Sequence, residues 1–191
     1  MSLLAIEVDP SGVAAVVEDR RGHRELRGDA EPAPEELWQA VLGAAQDALG
    51  DGPVVAVELT TAPAWTLLWD RDTLGSPRRA LTDLDAGPAL ARLRDAEPHT
   101  WALVEADRYA VGPLDSYLLA RMTRGLEHAT SLASAERTGL LDPATGDWST
   151  ERCARFGVPL DALPELVTEA GAAGTTDPRT FLSLEVPIRL S

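Results

Sequence analysis

Apolar and polar positions along the first third of the chain set out a run of short elements. Leu3 to Val8 is an almost unbroken apolar run, Asp9, Pro10, Ser11 and Gly12 carry turn chemistry, and Val13 to Glu18 is apolar again. That pattern predicts a β-hairpin. A turn is expected at Arg20, Arg21 and Gly22, followed by a weakly alternating edge strand over His23 to Arg27. From Pro34 the period becomes helical, with Leu37, Val41, Ala44, Ala45 and Ala48 on one face and Gly50 at the end. Val54 to Leu59 then reads as a buried strand.

The middle of the chain is less regular. Trp65 to Trp69 predicts a strand, Asp70 to Gly75 a turn, and the stretch near Arg78 to Leu81 a partner strand. Helices are expected over Ala89 to Ala96 and Trp101 to Asp107. Leu114, Tyr117, Leu118 and Met122 share a helical face, so Leu114 to Thr123 is a helix ended by Gly125. A turn at Asp142 to Gly146 precedes a short helix, Thr150 to Phe156, capped by Ser149, and Ala170 to Thr176 reads as a surface loop. No internal repeat or low-complexity tract interrupts this order.

Composition narrows the possibilities. The 191 residues are 45% apolar and 25% charged, which suits one globular unit with a core of its own. Basic residues number 17 against 31 acidic ones, a formal charge of −14, and every basic residue is arginine. Without a positive stripe, nucleic acid is excluded as a partner. Without lysine, so are a P-loop lysine and a Schiff base. The single cysteine, Cys153, excludes an intrachain disulfide and favours a reducing compartment, and the first residues read as a buried strand rather than a leader or membrane span. A cytoplasmic location is expected.

Candidate chemistry is sparse. Asp70, Asp72 and Gly75 imitate the start of a calcium loop, but Leu74 and Leu81 stand where oxygen ligands are needed, so a turn is the better reading. His23, His99 and His128 are scattered, show no zinc spacing and read as surface residues. No Gly-x-Ser-x-Gly elbow supports a serine nucleophile. Trp65 and Trp69 fall on one strand face, which suits core packing or a lobe-facing patch better than sugar stacking.

The residues from Leu114 to Val167, LDSYLLARMTRGLEHATSLASAERTGLLDPATGDWSTERCARFGVPLDALPELV, carry a helix with an Asp, a Thr-x-Gly turn, an Ala-Ser-x-Thr-like stretch, then Asp-Trp and Leu-Pro-Glu, in that order. This succession resembles the first lobe of the FGGY carbohydrate kinases, and among them the glycerol kinases. Leu4 to Asp19 resembles the family's first phosphate hairpin, and Val54 to Asp70 its substrate segment leading to a Trp-Asp turn. The resemblance implies an α/β fold: a ribonuclease-H-like mixed sheet of the actin-like ATPase type with flanking helices, as a single truncated lobe over 1–191. Within it, 1–60 is the hairpin-strand-helix-strand core, 61–112 a remodelled and shortened insert, and 113–191 the helical segment with a closing strand.

Departures from the family pattern decide the expected activity. The family hairpin reads Asp-x-Gly-Thr, whereas Glu7 here is followed by Asp9, Pro10 and Ser11, leaving a vestigial phosphate and metal hairpin. Glu7 and Asp9 either hold a metal ion or sit at a solvated strand end, and Pro10 favours the second. The family's Arg-Glu substrate pair is replaced by Pro63 and Ala64, within Thr60, Thr61, Ala62, Pro63, Ala64, Trp65. Arg137 and Thr138 match the family's Ser-Arg-Thr and are read as supporting the fold. Val186, Pro187 and Ile188 resemble the strand that precedes the family's catalytic base, and with the sequence closing at Ser191 no catalytic residue and no metal ligand is assigned.

The leading expectation is therefore a non-catalytic kinase-like protein that acts by binding a protein or small ligand. Its alternatives are half of a sugar or glycerol kinase completed in trans, and a small-molecule module with a site at Thr60, Trp65 and Asp85. No cofactor is expected, Mg-ATP entering only if the family activity survives. The expected partner is a second copy or a kinase-like chain, with neither nucleic acid nor membrane.

Overall fold

The computed structural model describes residues 2–26, 31–167 and 171–191. Arg27 and Ala170, at which an expected strand ends and an expected loop begins, lie outside the described residues. Strands β1 (Ser2–Asp9), β2 (Gly12–Val17) and β3 (Arg20–Glu25) form an antiparallel meander. Helix α1 (Pro34–Ala48) then crosses back, and β4 (Val54–Thr61) lies parallel to β1 on its free side. After β5 (Thr66–Asp70) come α2 (Ala86–Ala96), α3 (Pro98–Glu105), β6 (Tyr109–Pro113) and α4 (Leu114–Met122). The remaining elements are β7 (Ala129–Ser131), α5 (Leu132–Glu136), α6 (Thr150–Phe156), a short 3-10 turn at Leu160–Ala162, β8 (Glu165–Val167), β9 (Gly174–Thr175) and β10 (Pro187–Leu190). The main sheet has the order β3-β2-β1-β4-β10-β9, with β1, β4 and β10 parallel to one another. Two small sheets, β5-β6 and β7-β8, complete the architecture.

One face of the main sheet is dry. Leu4, Ile6 and Val8 on β1, Val13, Ala15 and Val17 on β2, and Val57 and Leu59 on β4 alternate inward against Leu37, Val41, Ala44 and Ala48 of α1 and Leu118 of α4. Pro34 opens α1 with Glu35 and Glu36 in the first turn, where the helix dipole favours acids. A second core gathers Leu68, Leu90, Trp101, Val111, Leu140 and Cys153 between β5-β6, α2, α3 and α6.

Several expectations are corrected by long-range packing. The turn after β2 is Glu18–Asp19, with Glu18 at φ 54°, and Arg20 to Gly22 lie inside β3. Gly22 is there because α1 crosses it: a Cβ would run into the Ala44 carbonyl. The partner of β5 is β6, and near Arg78 to Leu81 a single bridge forms among the described residues, between Thr66 and Leu81. The Ala170 to Thr176 segment is not all surface loop, since Gly174–Thr175 pairs with β10 and Thr176 is buried, donating its hydroxyl to the Leu184 carbonyl. The helix expected over Trp101 to Asp107 begins at Pro98 and ends at Glu105. By contrast α6 has the predicted bounds, with Ser149 accepting from the Arg152 amide and Gly157 closing it at φ 71°.

A candidate site at the carboxyl ends of the parallel strands

In open α/β sheets ligands collect beyond the carboxyl ends of the parallel strands. Here that edge is made by the β1–β2 turn, the end of β4 and the start of α5. The turn is closed by its own acid. Asp9 Oδ1 accepts from the Ser11 amide at 2.6 Å, the Ser11 hydroxyl at 2.5 Å and the Gly12 amide at 3.0 Å. The Ser11 hydroxyl, then the amides of Ser11 and Gly12, hold the Asp9 carboxyl below the usual carboxylate range. Pro10 has no N–H to add.

This arrangement does not suit a nucleotide phosphate. A phosphate-binding turn offers outward amide donors to an anion, whereas this one has bonded its amides to a fixed carboxylate. Glu7 is exposed on the opposite sheet face beside Thr60, its cross-strand neighbour. Among the described residues no cluster of three or more His, Cys, Asp or Glu has metal-binding geometry. The residues at this edge therefore fit Mg-ATP poorly.

The residues considered for a small-molecule site are each engaged elsewhere. Thr60 Oγ1 lies 2.6 Å from Ser191 Oγ. Trp65 is half-buried against the main core. Asp85 caps α2, its Oδ1 accepting from the Gly87 amide at 3.2 Å. Pro63 and Ala64 line a narrow crevice with Trp65, Pro113, Ser134 and Arg137. There Arg137 donates to the Thr61 carbonyl at 2.7 Å and to Ser134 Oγ at 2.9 Å, so it braces the end of β4.

Sequence reasoning missed two polar nodes. Asp115, at the start of α4, is 1% exposed and accepts from the Ser116 amide at 2.8 Å, Thr130 Oγ1 at 2.7 Å and the Ser131 amide at 2.9 Å. An acid in the first turn of an otherwise apolar helix was the available signal. His128 is partly enclosed rather than on the surface: Arg71 donates to its Nδ1 at 3.1 Å, and the Trp69 ring stands edge-on at 5.3 Å. Burial, then the Arg71 charge, push its pKa down to about 3. A cavity of about 630 Å³ lies away from the strand ends, between Trp38, Leu74, Arg121 and Arg124. Arg121 is occupied there, stacked 5.0 Å from the Trp38 ring and paired with Glu35 at 2.8 Å.

A meander, a crossing helix and parallel strands that meet a turn at their carboxyl ends define a lobe of the ribonuclease-H-like, actin-like ATPase class. The comparisons sharpen this. Residues 81–189 match the FGGY family of carbohydrate kinases, N-terminal domain. The chain belongs to that family. The glycerol kinase of Methylobacterium nodulans is 32% identical over 87% of this chain and 40% of that enzyme, and that of Alcanivorax borkumensis 30% identical over 97% and 47%. Among solved structures, Plasmodium falciparum glycerol kinase with ADP superposes with a TM-score of 0.85 at 14% identity, covering 99% of this chain and 48% of that one. The xylulose kinase of Rhodospirillum rubrum gives 0.84 at 12% identity over 100% and 49%. The chain thus spans a little under half the length of the relatives it matches. No helix among the described residues is long and apolar enough to cross a membrane.

Proposed function

We propose that this carbohydrate-kinase lobe does not itself transfer phosphate and acts through binding. The observation that carries the reading is the self-bonded turn: the Asp9 carboxylate takes the Ser11 and Gly12 amides and adds a negative charge to the turn that resembles the family's phosphate hairpin. Pro63 and Ala64 add to it, because neither side chain can hydrogen-bond a sugar hydroxyl where the family pattern has an Arg-Glu pair. Phosphoryl transfer depends on positioning both substrates and on stabilising charge, and these residues favour neither.

Calorimetry with Mg-ATP and a coupled assay for ADP release with glycerol and pentuloses test the reading. No dissociation constant at or below about 100 μM, near −5.5 kcal/mol, is expected, and no sugar-dependent turnover. Either result positive overturns it. A second reading, favoured by the share of the relatives that the chain spans, is that the lobe contributes to a kinase when a second lobe is supplied. Turnover that appears only when the second lobe of a glycerol kinase is added would select that reading. A rise in melting temperature with glycerol or a pentose alone would instead identify a small-molecule module.

A further inference from the structure

The cavity beside Trp38 is built from segments that hydrogen bonds hold in place. Its walls come from the start of α1, the turn after β5, the chain just beyond α4 and the turn at Asp177 to Thr180. Leu74 donates its amide to the Asp70 carbonyl at 2.8 Å, and Gly125 its amide to the Ala120 carbonyl at 2.7 Å. The Met122 carbonyl accepts from the Asp177 amide at 2.8 Å and from the Thr180 hydroxyl at 3.3 Å. At Gly125, with φ 79°, a Cβ would come within 3.3 Å of the Leu74 side chain, so the two turns lie against each other. At about 630 Å³ the cavity falls within the roughly 300–1,000 Å³ usual for small-molecule sites.

The charged side chains on this wall are Glu35, Asp72, Arg121, Arg124 and Asp177. Three of them are committed. Arg121 pairs with Glu35 at 2.8 Å, and Asp72 pairs with Arg108 at 3.1 Å. The two that remain have opposite sign. The Arg124 guanidinium makes no hydrogen bond or ion pair among the described residues. Asp177 Oδ1 accepts from the Arg179 amide at 2.7 Å, while Oδ2 has no partner among the described residues. Arg179 itself is exposed and lies outside the wall. Arg124 holds φ 58°, where Gly or Asn sits more easily, so local backbone preference does not account for the arginine. Leu74 and Leu126 add apolar surface, Leu126 being 80% exposed. Trp38 is 4% exposed with Arg121 over its ring, which leaves little face for a sugar to stack on.

We propose that this cavity binds a small zwitterion of dipeptide size, with its carboxylate on the Arg124 guanidinium, its ammonium on Asp177 and an apolar side chain against Leu74 and Leu126. A lone anion would meet the fixed carboxylates of Glu35, Asp72 and Asp177, and a lone cation the guanidinium groups of Arg121 and Arg124. A zwitterion gives each uncommitted charge its counterpart and leaves the net charge of the wall unchanged. Its apolar part adds burial that a polyol lacks. The cavity lies away from the strand ends, so the inference stands whether or not the lobe binds nucleotide or sugar there.

Calorimetry with L-leucyl-L-alanine provides the test, with circular dichroism to check each variant's fold. Wild type should bind with a dissociation constant of about 0.1 to 1 mM, the strength open to a ligand of this size. Acetylating the dipeptide's amine, or amidating its carboxyl group, should each weaken binding at least about fivefold. Arg124→Asn, which suits the left-handed position, should cost the dipeptide as much as amidation does and have little further effect on the amidated ligand. Asp177→Asn, which keeps the acceptor for the Arg179 amide, should stand in the same relation to the acetylated ligand. Absence of dipeptide binding up to about 10 mM overturns the inference. So does binding indifferent to both substitutions, or substitutions that weaken the blocked ligands as much as the free dipeptide. Glycerol and pentose titrations should be the same for both variants as for wild type, which separates failure here from failure of the functional reading above. A loss of sugar binding in either variant would assign the cavity to a polyol and overturn the inference.

Discussion

Two aspartates in this lobe make nearly the same hydrogen bonds with opposite consequences. Asp9 and Asp115 each gather three donors, two of them backbone amides and one a hydroxyl. Asp115 is sealed between α4 and β7, so its bonds hold the fold together. Asp9 lies at the solvent-facing end of β1, where the same bonds close only its own turn. Burial separates the two roles: a donor abandoned in the interior has nothing to replace its partner, while one at the surface turns to water.

The largest expected effect follows from that difference. Asp115→Ala leaves the Thr130 hydroxyl and the Ser131 amide facing a dry gap, at a cost of about 3 to 4 kcal/mol. For a chain of this length that is a fall of roughly 10 °C in melting temperature. Asp115→Asn keeps a carbonyl acceptor and should lose distinctly less. Equal losses for the two variants would show that the packing of α4, rather than its hydrogen bonds, sets the cost. Asp9→Ala, measured alongside, should shift the midpoint by no more than about 1 kcal/mol.

A pH series sharpens the comparison. The His128 imidazole titrates near 6.5 when unfolded and only at about 3 when folded. Between those values the unfolded chain binds the extra proton, so stability falls as pH drops from about 6.5 towards 3. A loss of up to about 3 kcal/mol between pH 6.5 and 4 is expected in urea denaturation, at one pH unit per 1.36 kcal/mol. His128→Phe keeps a ring against Trp69 and removes the titration, so most of that slope should vanish. If the slope persists in the variant, other groups carry the acid sensitivity.

Which of these features the sequence discloses depends on how far away their causes lie. The first hairpin, α1 and α6 are legible because their signals are local: apolar runs about a turn, Pro34 at a helix start, Ser149 and Gly157 at the two ends of seven residues. β6 was hidden, since Tyr109–Pro113 is short and its partner lies some forty residues upstream at Thr66–Asp70. The enclosure of His128 comes from Arg71 and Trp69, far away in sequence. Asp85 also carried a local signal that went unused: an Asp just before Ala-Gly-Pro suits a helix cap, and Asp85 caps α2. In the hairpin the substitution of the family pattern was visible, but not that the Asp9 carboxylate turns back onto its own amides.

The smallest effect on stability carries the sharpest information about function. Asp9→Gly with Pro10→Thr removes the internal acceptor, frees the Ser11 and Gly12 amides and returns an N–H at position 10. Against a cost near 1 kcal/mol in stability, the turn should gain affinity for inorganic phosphate or Mg-ADP relative to wild type, reaching millimolar strength. The same competition predicts a pH signature. Because the folded Asp9 carboxyl titrates below its ordinary range, its contribution to stability is complete above the ordinary carboxylate pKa and is lost only as pH falls through the lowered value. Wild type should therefore reject phosphate throughout the neutral range, with no window in which acid protonates Asp9 and leaves phosphate charged enough to compete. Phosphate titrations of both proteins, followed by amide chemical shifts at Ser11 and Gly12, decide the matter. If the variant's amides fail to move, the Asp9 carboxylate is not what keeps phosphate from this turn.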